Sequence, residues 1–330
     1  MSKTLKINPL SPEPQKIKEA AETIRRGGTV AFPTETVYGL GADALNPEAI
    51  KKVFKAKGRP SDNPLIVHIA RIDDLKQIAR KPSGVSHALI KRFWPGPLTV
   101  VFKKKKVVPD TVTGGLDTVA IRMPDNKIAI SLIKKAGVPL VAPSANLSGK
   151  PSPTQAKDVA ADLSGKVDII IDGGKTRIGI ESTVIDMTTI PPTLLRPGGL
   201  PVEEIEKVTG PVQRPSTQHG NMPARSPGMK YRHYAPDAKM IIVEGDIRNM
   251  AEENVRKGKK VGIITFHRGH KIEGCLIKYA GSKPETVANR LFAILRSFDK
   301  EGVDIIISEP YNGGGLKLGI SDRLKRAAGT

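Results

Sequence analysis

The chain has 330 residues, 38% hydrophobic and 26% charged, with a formal net charge of +20; this predicts a soluble globular protein of two domains that favours anionic ligands. Its one cysteine, Cys275, excludes an internal disulfide framework and a multi-cysteine zinc site. No apolar stretch reaches the roughly eighteen residues of a membrane helix, and the N-terminus lacks the apolar core of a secretion signal, so we expect a cytoplasmic protein without membrane contact.

The first 210 residues alternate helix-like and strand-like segments. Apolar residues recur on one face from Ile17 to Arg26, which predicts a helix. Asn46-Pro47-Glu48 is a well-capped start for a second helix that ends at Gly58. Many strands and few helices favour a mixed α/β sheet, with strands expected from their β-branched content at 29–32, 65–69, 98–102, 119–123, 140–142, 167–171, 183–186 and 193–196.

Residues 211–237 are rich in proline, glycine and polar residues and show no apolar period, which predicts a linker between a domain at 1–210 and a domain at 238–330. Cations and aromatic rings, among them Arg232 and Tyr234, favour a loop that covers a ligand, so we expect an active-site lid. Short buried-type strands then alternate with helical segments. This pattern predicts a smaller α/β domain, Rossmann-like, with a largely parallel sheet.

Two short patterns suggest nucleotide binding but lack their required context. Residues 39–44, GLGADA, match a relaxed dinucleotide fingerprint, yet Pro33 interrupts the preceding strand and repeating βαβ units are missing. Residues 174–176 resemble the end of a phosphate-binding loop. Such a loop needs its first glycine at position 169, but Ile169 stands there, inside a predicted strand. Any ATP must therefore be bound by another route.

Seven stretches carry the functional signal, at 33–44, 55–69, 94–101, 118–124, 141–154, 181–186 and 194–198. Together they strongly resemble the YrdC-like family, and the whole chain resembles its two-domain form. The family's K-x-R and S-x-N signature stands at Lys57, Arg59, Ser144 and Asn146. The resemblance implies a mixed, twisted-sheet domain with a concave basic site, followed by the smaller C-terminal domain.

The resemblance also implies a nucleotidyltransferase reaction. L-threonine, bicarbonate or CO2, and ATP would give L-threonylcarbamoyl-AMP and pyrophosphate, for N6-threonylcarbamoyladenosine formation in tRNA. Mg²⁺ is expected with ATP, with no protein side chain assigned to the metal, and the product would pass to a tRNA threonylcarbamoyl transferase complex. Direct contact with tRNA stays open. Because the participants are anionic, the site needs positioned positive charge rather than a protein nucleophile.

Two sets of site residues follow from the same resemblance. Lys57 and Arg59 are expected to act as catalytic residues at the ATP phosphates. The nucleotide set is Lys57, Arg59, Asn63, Thr118, Ser144, Asn146, Ser152, Arg196, Arg232 and Tyr234. The threonine set is Thr34, Thr36, His68, Arg122, Ala142 and Ser182, with Arg122 as the partner of the threonine carboxylate. Taken singly, several of these residues fit a helix end, a turn or a strand interior; their joint occurrence favours the site.

Two other functions are compatible with parts of the sequence. The positive charge fits an RNA-binding module that grips structured RNA by shape, although 4% aromatic residues provide few stacking platforms. YrdC-like domains also occur in carbamoyltransferases of hydrogenase maturation. Those longer proteins carry acylphosphatase and zinc-finger regions, which this chain lacks.

Overall fold

The computed structural model describes residues 1–214, 233–269 and 271–329. The centre of the predicted lid, Arg232 included, lies outside the described residues. The described strands are β1 (Lys3–Lys6), β2 (Val30–Pro33), β3 (Tyr38–Asp43), β4 (Ile66–His68), β5 (Leu98–Lys103), β6 (Thr118–Arg122), β7 (Leu140–Val141), β8 (Ile169–Asp172), β9 (Thr183–Asp186), β10 (Thr193–Arg196), β11 (Lys239–Ile242), β12 (Val261–Thr265), β13 (Cys275–Tyr279) and β14 (Ile305–Ser308). The helices are α1 (Pro14–Arg25), α2 (Pro47–Lys57), α3 (Leu75–Ile78), α4 (Gly84–Phe93), α5 (Asp110–Thr113), α6 (Lys127–Ala136), α7 (Ala156–Leu163), α8 (Val202–Thr209), α9 (Ile247–Arg256), α10 (Pro284–Glu301) and α11 (Lys317–Ala328).

The local sequence determines where helix α2 begins and ends, and Lys57, the first residue of the family signature, is its last residue. The Asn46 side chain accepts hydrogen bonds from the backbone N–H groups of Glu48 and Ala49, so two unpaired donors of the first turn are satisfied. The helix ends where Gly58 adopts a left-handed φ of 60°. This reversal turns the chain from Lys57 toward Arg59.

The larger sheet has ten strands in the order β1-β8-β2-β3-β7-β4-β6-β5-β9-β10, with parallel and antiparallel neighbours mixed. Alternate residues of a strand pack into different apolar clusters. Ile170 belongs to the cluster with α2, α4 and α7, whereas Ile169 and Ile171 belong to the one with α1 and α6. Both faces of the sheet are thus buried, and the mixed α/β prediction is confirmed.

The C-terminal part forms a separate four-stranded sheet, in the order β11-β14-β12-β13, in which all described pairings are parallel. The expected Rossmann-like parallel sheet is confirmed. Its helix α10 reaches back to the first sheet's domain, because the Arg296 guanidinium forms a salt bridge of 2.8 Å with Asp162. Close backbone packing accompanies it: a Cβ on Gly179 would lie 2.4 Å from the Cα of Asn289.

Two features of the first domain differ from the sequence-based expectation. Residues 38–43, which were outside the predicted strands, form β3 between β2 and β7. Two glycines weaken its strand propensity, but burial between two neighbours decides its conformation. The expectation of few helices is wrong, because the described residues up to 210 include eight. Outside the first domain, Cys275 is half-buried in β13.

No helix among the described residues is long and apolar enough to span a membrane.

Candidate active site

A cleft lies where several strands of the larger sheet end. All six residues of the threonine set line it. Of the nucleotide set, four described residues line it: Arg59, Ser144, Arg196 and Tyr234. The remaining lining residues are Val37, Tyr38, Gly39, Ile66, Pro143, Glu181 and His233.

Strand register brings the threonine set together. In the parallel pair of β4 and β6, His68 lies opposite Arg122. In the antiparallel pair of β5 and β6, Arg122 lies opposite Thr99. The Thr99 hydroxyl shares a hydrogen bond of 2.7 Å with the Ser182 hydroxyl. Residues distant in sequence therefore meet at one edge of the sheet.

Arg122 is only 4% exposed and is held by three contacts. Its Nη1 donates to Thr36 Oγ1 at 2.9 Å, and its Nε donates to the carbonyl of Gly96 at 3.3 Å. Its Nη2 lies 2.7 Å from Glu35 Oε2, an ion pair whose angle falls outside hydrogen-bond geometry. The guanidinium is thus fixed in one orientation beside the cleft, which suits it for binding a carboxylate.

His68 is a neutral side chain in this site. Burial, together with the nearby positive charge of Arg122, lowers the pKa of His68 to about 3. Its Nδ1 lies 3.3 Å from the carbonyl oxygen of Ile66, and a carbonyl can only accept. Nδ1 therefore carries the proton, and Nε2 remains an acceptor suited to a hydroxyl or an amine.

Two arginines besides Arg122 line the cleft. Arg59 donates from Nη2 to the carbonyls of Asn63 and Pro64 at 3.3 and 3.0 Å, and burial lowers the pKa of Arg59 to about 10, so it stays charged at neutral pH. Arg196 donates from Nη2 to the Ser182 carbonyl at 3.0 Å. Among the described residues, Arg59 Nε and Asn63 Oδ1 are buried without a hydrogen-bond partner.

Lys57 faces the protein backbone. Its Nζ donates to the carbonyls of Ser144 and Asn146, both at 2.6 Å. Burial lowers the pKa of Lys57 well below its ordinary value, and the charge of Arg59 adds to this effect. Lys57, from the first half of the family signature, thus holds the loop that carries the second half, Ser144 and Asn146. Direct contact of Lys57 with a phosphate stays a prediction.

The other described residues of the predicted nucleotide set do not line the cleft. The Asn146 amide donates to the carbonyls of Leu147 and Lys150 at 2.7 and 2.8 Å, so it shapes the loop. Ser152 is buried and donates to Glu181. Thr118 is buried at the start of β6.

Sequence reasoning missed the acidic partners of the site, Glu35 and Glu181, as well as His233. Glu35 pairs with Arg122, and Glu181 lines the cleft. His233 and Tyr234, at the described end of the predicted lid, line it too. Both acids lie inside stretches that carry the resemblance, 33–44 and 181–186, so charged residues within those motifs were the available signal.

Comparison with known proteins identifies the family. Residues 22–198 match the Sua5–YciO–YrdC family model, described as telomere recombination. Residues 200–329 match a model described as the C-terminal domain of threonylcarbamoyl-AMP synthase. The chain belongs to the threonylcarbamoyl-AMP synthase family. The resemblance to YrdC-like proteins is therefore confirmed, including the two-domain form.

Full-length members of the threonylcarbamoyl-AMP synthase family resemble this chain from end to end. The Pyrococcus abyssi enzyme is 53% identical over 96% of this chain and 95% of its own length. The Bacillus subtilis enzyme is 48% identical over 97% and 95%. The crystal structure of P. abyssi Sua5 complexed with L-threonine superposes with a TM-score of 0.94, at 50% identity, over 99% of this chain and 97% of that one.

Proposed function

We propose that this cleft makes L-threonylcarbamoyl-AMP from L-threonine, bicarbonate or CO2, and ATP, releasing pyrophosphate. The observation that carries the proposal is the meeting of the whole threonine set with Arg59 and Arg196 in one cleft. The family of the chain, and the threonine bound to its relative of known structure, support it. The product would serve N6-threonylcarbamoyladenosine formation in tRNA, in the cytoplasm, through a tRNA threonylcarbamoyl transferase complex.

Threonine is held by fixed donors and acceptors in this scheme. The oriented Arg122 guanidinium pairs with the carboxylate, while Glu35 behind it keeps the arginine in place. Neutral His68 accepts a hydrogen bond from the hydroxyl or the amine, and the Ser182 hydroxyl provides a further partner. The neutral amine nitrogen then attacks the carbon of CO2: a C–N bond forms, one C=O π bond becomes the carbamate oxyanion, and the amine proton leaves to water.

The arginines serve the second half of the reaction. The threonine carbamate oxygen attacks the α-phosphorus of ATP, a new P–O bond forms, and the bond to the β-phosphate oxygen breaks, so pyrophosphate leaves. Arg59 and Arg196 line the cleft, and in this scheme they bind the phosphate oxygens and stabilise the developing negative charge. No protein nucleophile is required.

Mg²⁺ would enter with the nucleotide. The described residues contain no cluster of three or more histidine, cysteine or acidic side chains suited to a metal. Glu181 is paired with Arg323, and Glu35 with Arg122. Phosphate oxygens and water are thus the ligands we propose for the ion.

A substrate-omission assay tests the proposed function. Pyrophosphate release should require threonine, bicarbonate and ATP together, and the adenylate product should be detected by mass spectrometry. ATP hydrolysis that ignores threonine, or carbamoyl transfer from carbamoyl phosphate, would contradict the proposal. The comparisons do not favour an RNA-binding module; salt-sensitive RNA binding without turnover would be its signature.

A further inference from the structure

One fully buried arginine of the C-terminal domain lies at the edge of the cleft. Arg323 lies on α11 and is 0% exposed. Its Nε donates to Glu181 Oε2 at 2.7 Å, and its Nη1 donates to the carbonyl of Pro197 at 2.9 Å. The guanidinium carbon also lies 5.2 Å from the centre of the Tyr234 ring. One side chain therefore contacts three segments that flank the cleft.

Glu181 is the group through which Arg323 reaches the substrates. It lines the cleft directly before Ser182, and its other oxygen accepts a hydrogen bond from Ser152, a member of the nucleotide set. Burial would raise the pKa of this carboxyl, but the charges of Arg323 and Arg196, together with the hydrogen bonds from Ser152 and Arg323, hold the pKa below its ordinary value. A carboxylate thus lies in the wall of a cleft whose proposed ligands are anions.

We propose that Arg323 is a positioning residue of the synthase site: it neutralises Glu181 and keeps the carboxylate turned to Ser152, so that the cleft accepts ATP. Its partner Asp322 lies 2.7 Å from Nη1 and helps to orient the guanidinium. The C-terminal domain then contributes to nucleotide binding without touching the nucleotide. This inference rests on the proposed function of the cleft.

The test first removes the positive charge of Arg323 and then also the negative charge of Glu181. In Arg323→Met, the unpaired Glu181 should repel the phosphates, so the Kd of a non-hydrolysable ATP analogue, measured by calorimetry, should rise about tenfold or more. In the double variant Arg323→Met with Glu181→Gln, the Kd should return to within about threefold of Glu181→Gln alone, because a neutral amide needs no counter-charge.

Lys317→Met is the matched control, since Lys317 is an exposed cation of the same helix. It should bind the analogue as the wild type does. If Arg323→Met is too unstable to purify, because an unpaired buried carboxylate is costly, the double variant carries the test. Tight binding by it supports the inference.

Two results would overturn the inference: wild-type affinity in folded Arg323→Met, or binding by the double variant at least tenfold weaker than by Glu181→Gln alone. The second result would reduce Arg323 to a domain-docking contact. Calorimetry needs no turnover, and the wild-type omission assay is a separate experiment. Failure of the inference is thus distinguishable from failure of the proposed function.

Discussion

Arg59 combines two properties at the residue scale: it is charged and buried at the cleft, and its Nε has no hydrogen-bond partner among the described residues. Removing one charge-assisted phosphate contact costs about 1.5–3 kcal/mol, or about ten- to a hundredfold in kcat/KM. We therefore expect Arg59→Ala to lose that much, and Arg59→Lys to lose less but not to recover fully, because lysine lacks the forked donor. Steady-state kinetics with varied ATP measures both, and wild-type ATP kinetics in Arg59→Ala would remove this residue from the nucleotide site.

The lowered pKa of His68 predicts how the stability of the fold depends on pH. Its pKa is about 3 in the folded protein and 6.5 when unperturbed, so the stability linked to it is complete above pH about 6.5. As the pH falls toward 3, the unfolded chain takes up a proton that folded His68 does not, and stability is lost by up to about 1.4 kcal/mol per pH unit.

His68→Gln should therefore show a shallower decline of unfolding free energy between pH about 6 and 4, measured by urea unfolding. His87 is exposed, so His87→Gln serves as the matched control and should keep the wild-type slope. Equal slopes in all three proteins would mean that His68 titrates normally in the folded state.

The resemblance to the YrdC-like family indicated most residues of the cleft but not its counter-charges. The threonine set follows from the motifs that carry this resemblance, and all six of its members line one cleft. The pairing of Glu181 with Arg323 could not be predicted, since 142 positions separate the two in the chain. Such a contact depends on how two domains pack, which local periodicity does not encode.

At the element scale, Lys57 joins the end of α2 to the loop that follows β7. Lys57→Met keeps the apolar stem but removes the ammonium group that donates to the part-buried carbonyl of Ser144 and the buried carbonyl of Asn146. Leaving such groups unpaired costs about 1–3 kcal/mol each. We expect lower stability, and weaker binding of an ATP analogue because the loop carrying Ser144 shifts.

Chemical unfolding and calorimetry on the same samples measure both effects. Lys55→Met changes an exposed lysine of the same helix and should leave both quantities unaltered. Unchanged stability in Lys57→Met would contradict the fastening role, whereas lost stability with unchanged nucleotide affinity would separate the loop from the site.

Strand β3 shows why elements were only partly predictable. Its Gly39 and Gly41 disfavour an isolated strand, yet a Cβ on Gly41 would lie 2.6 Å from Phe32 and a Cβ on Gly39 would lie 3.1 Å from Ala142. The glycines are explained by close packing against neighbouring side chains. Helix α2, by contrast, was predictable because its cap, its first proline and its terminal glycine all act locally.

At the scale of the whole molecule, the two domains are in close contact at Gly319. Gly319 of α11 packs against the other domain, where a Cβ would lie 2.9 Å from the Gly198 carbonyl oxygen and 3.0 Å from Ile180. Gly198 in turn packs on the Glu181–Ser182 backbone, because a Cβ on Gly198 would lie 2.3 Å from the backbone carbonyl oxygen of Glu181. Docking and site geometry are therefore coupled through two glycines.

Gly319→Ala tests this coupling. Within a helix, alanine should stabilise by about 1 kcal/mol over glycine, so any net loss must come from docking. We expect a net loss of about 1–3 kcal/mol from overpacking, with a raised KM for threonine because Ser182 is displaced. Thermal unfolding and initial-rate kinetics provide the two readouts.

Gly84→Ala is the matched control, since Gly84 also lies in a helix, α4, and has no atom within 4 Å of an added Cβ. It should be neutral or slightly stabilising and fully active. If Gly319→Ala behaves like Gly84→Ala in both measurements, the interface tolerates the extra methyl group and the two domains are not coupled at this point. A lower melting temperature with unchanged threonine kinetics would show that docking stabilises the fold while Ser182 is held by its own domain.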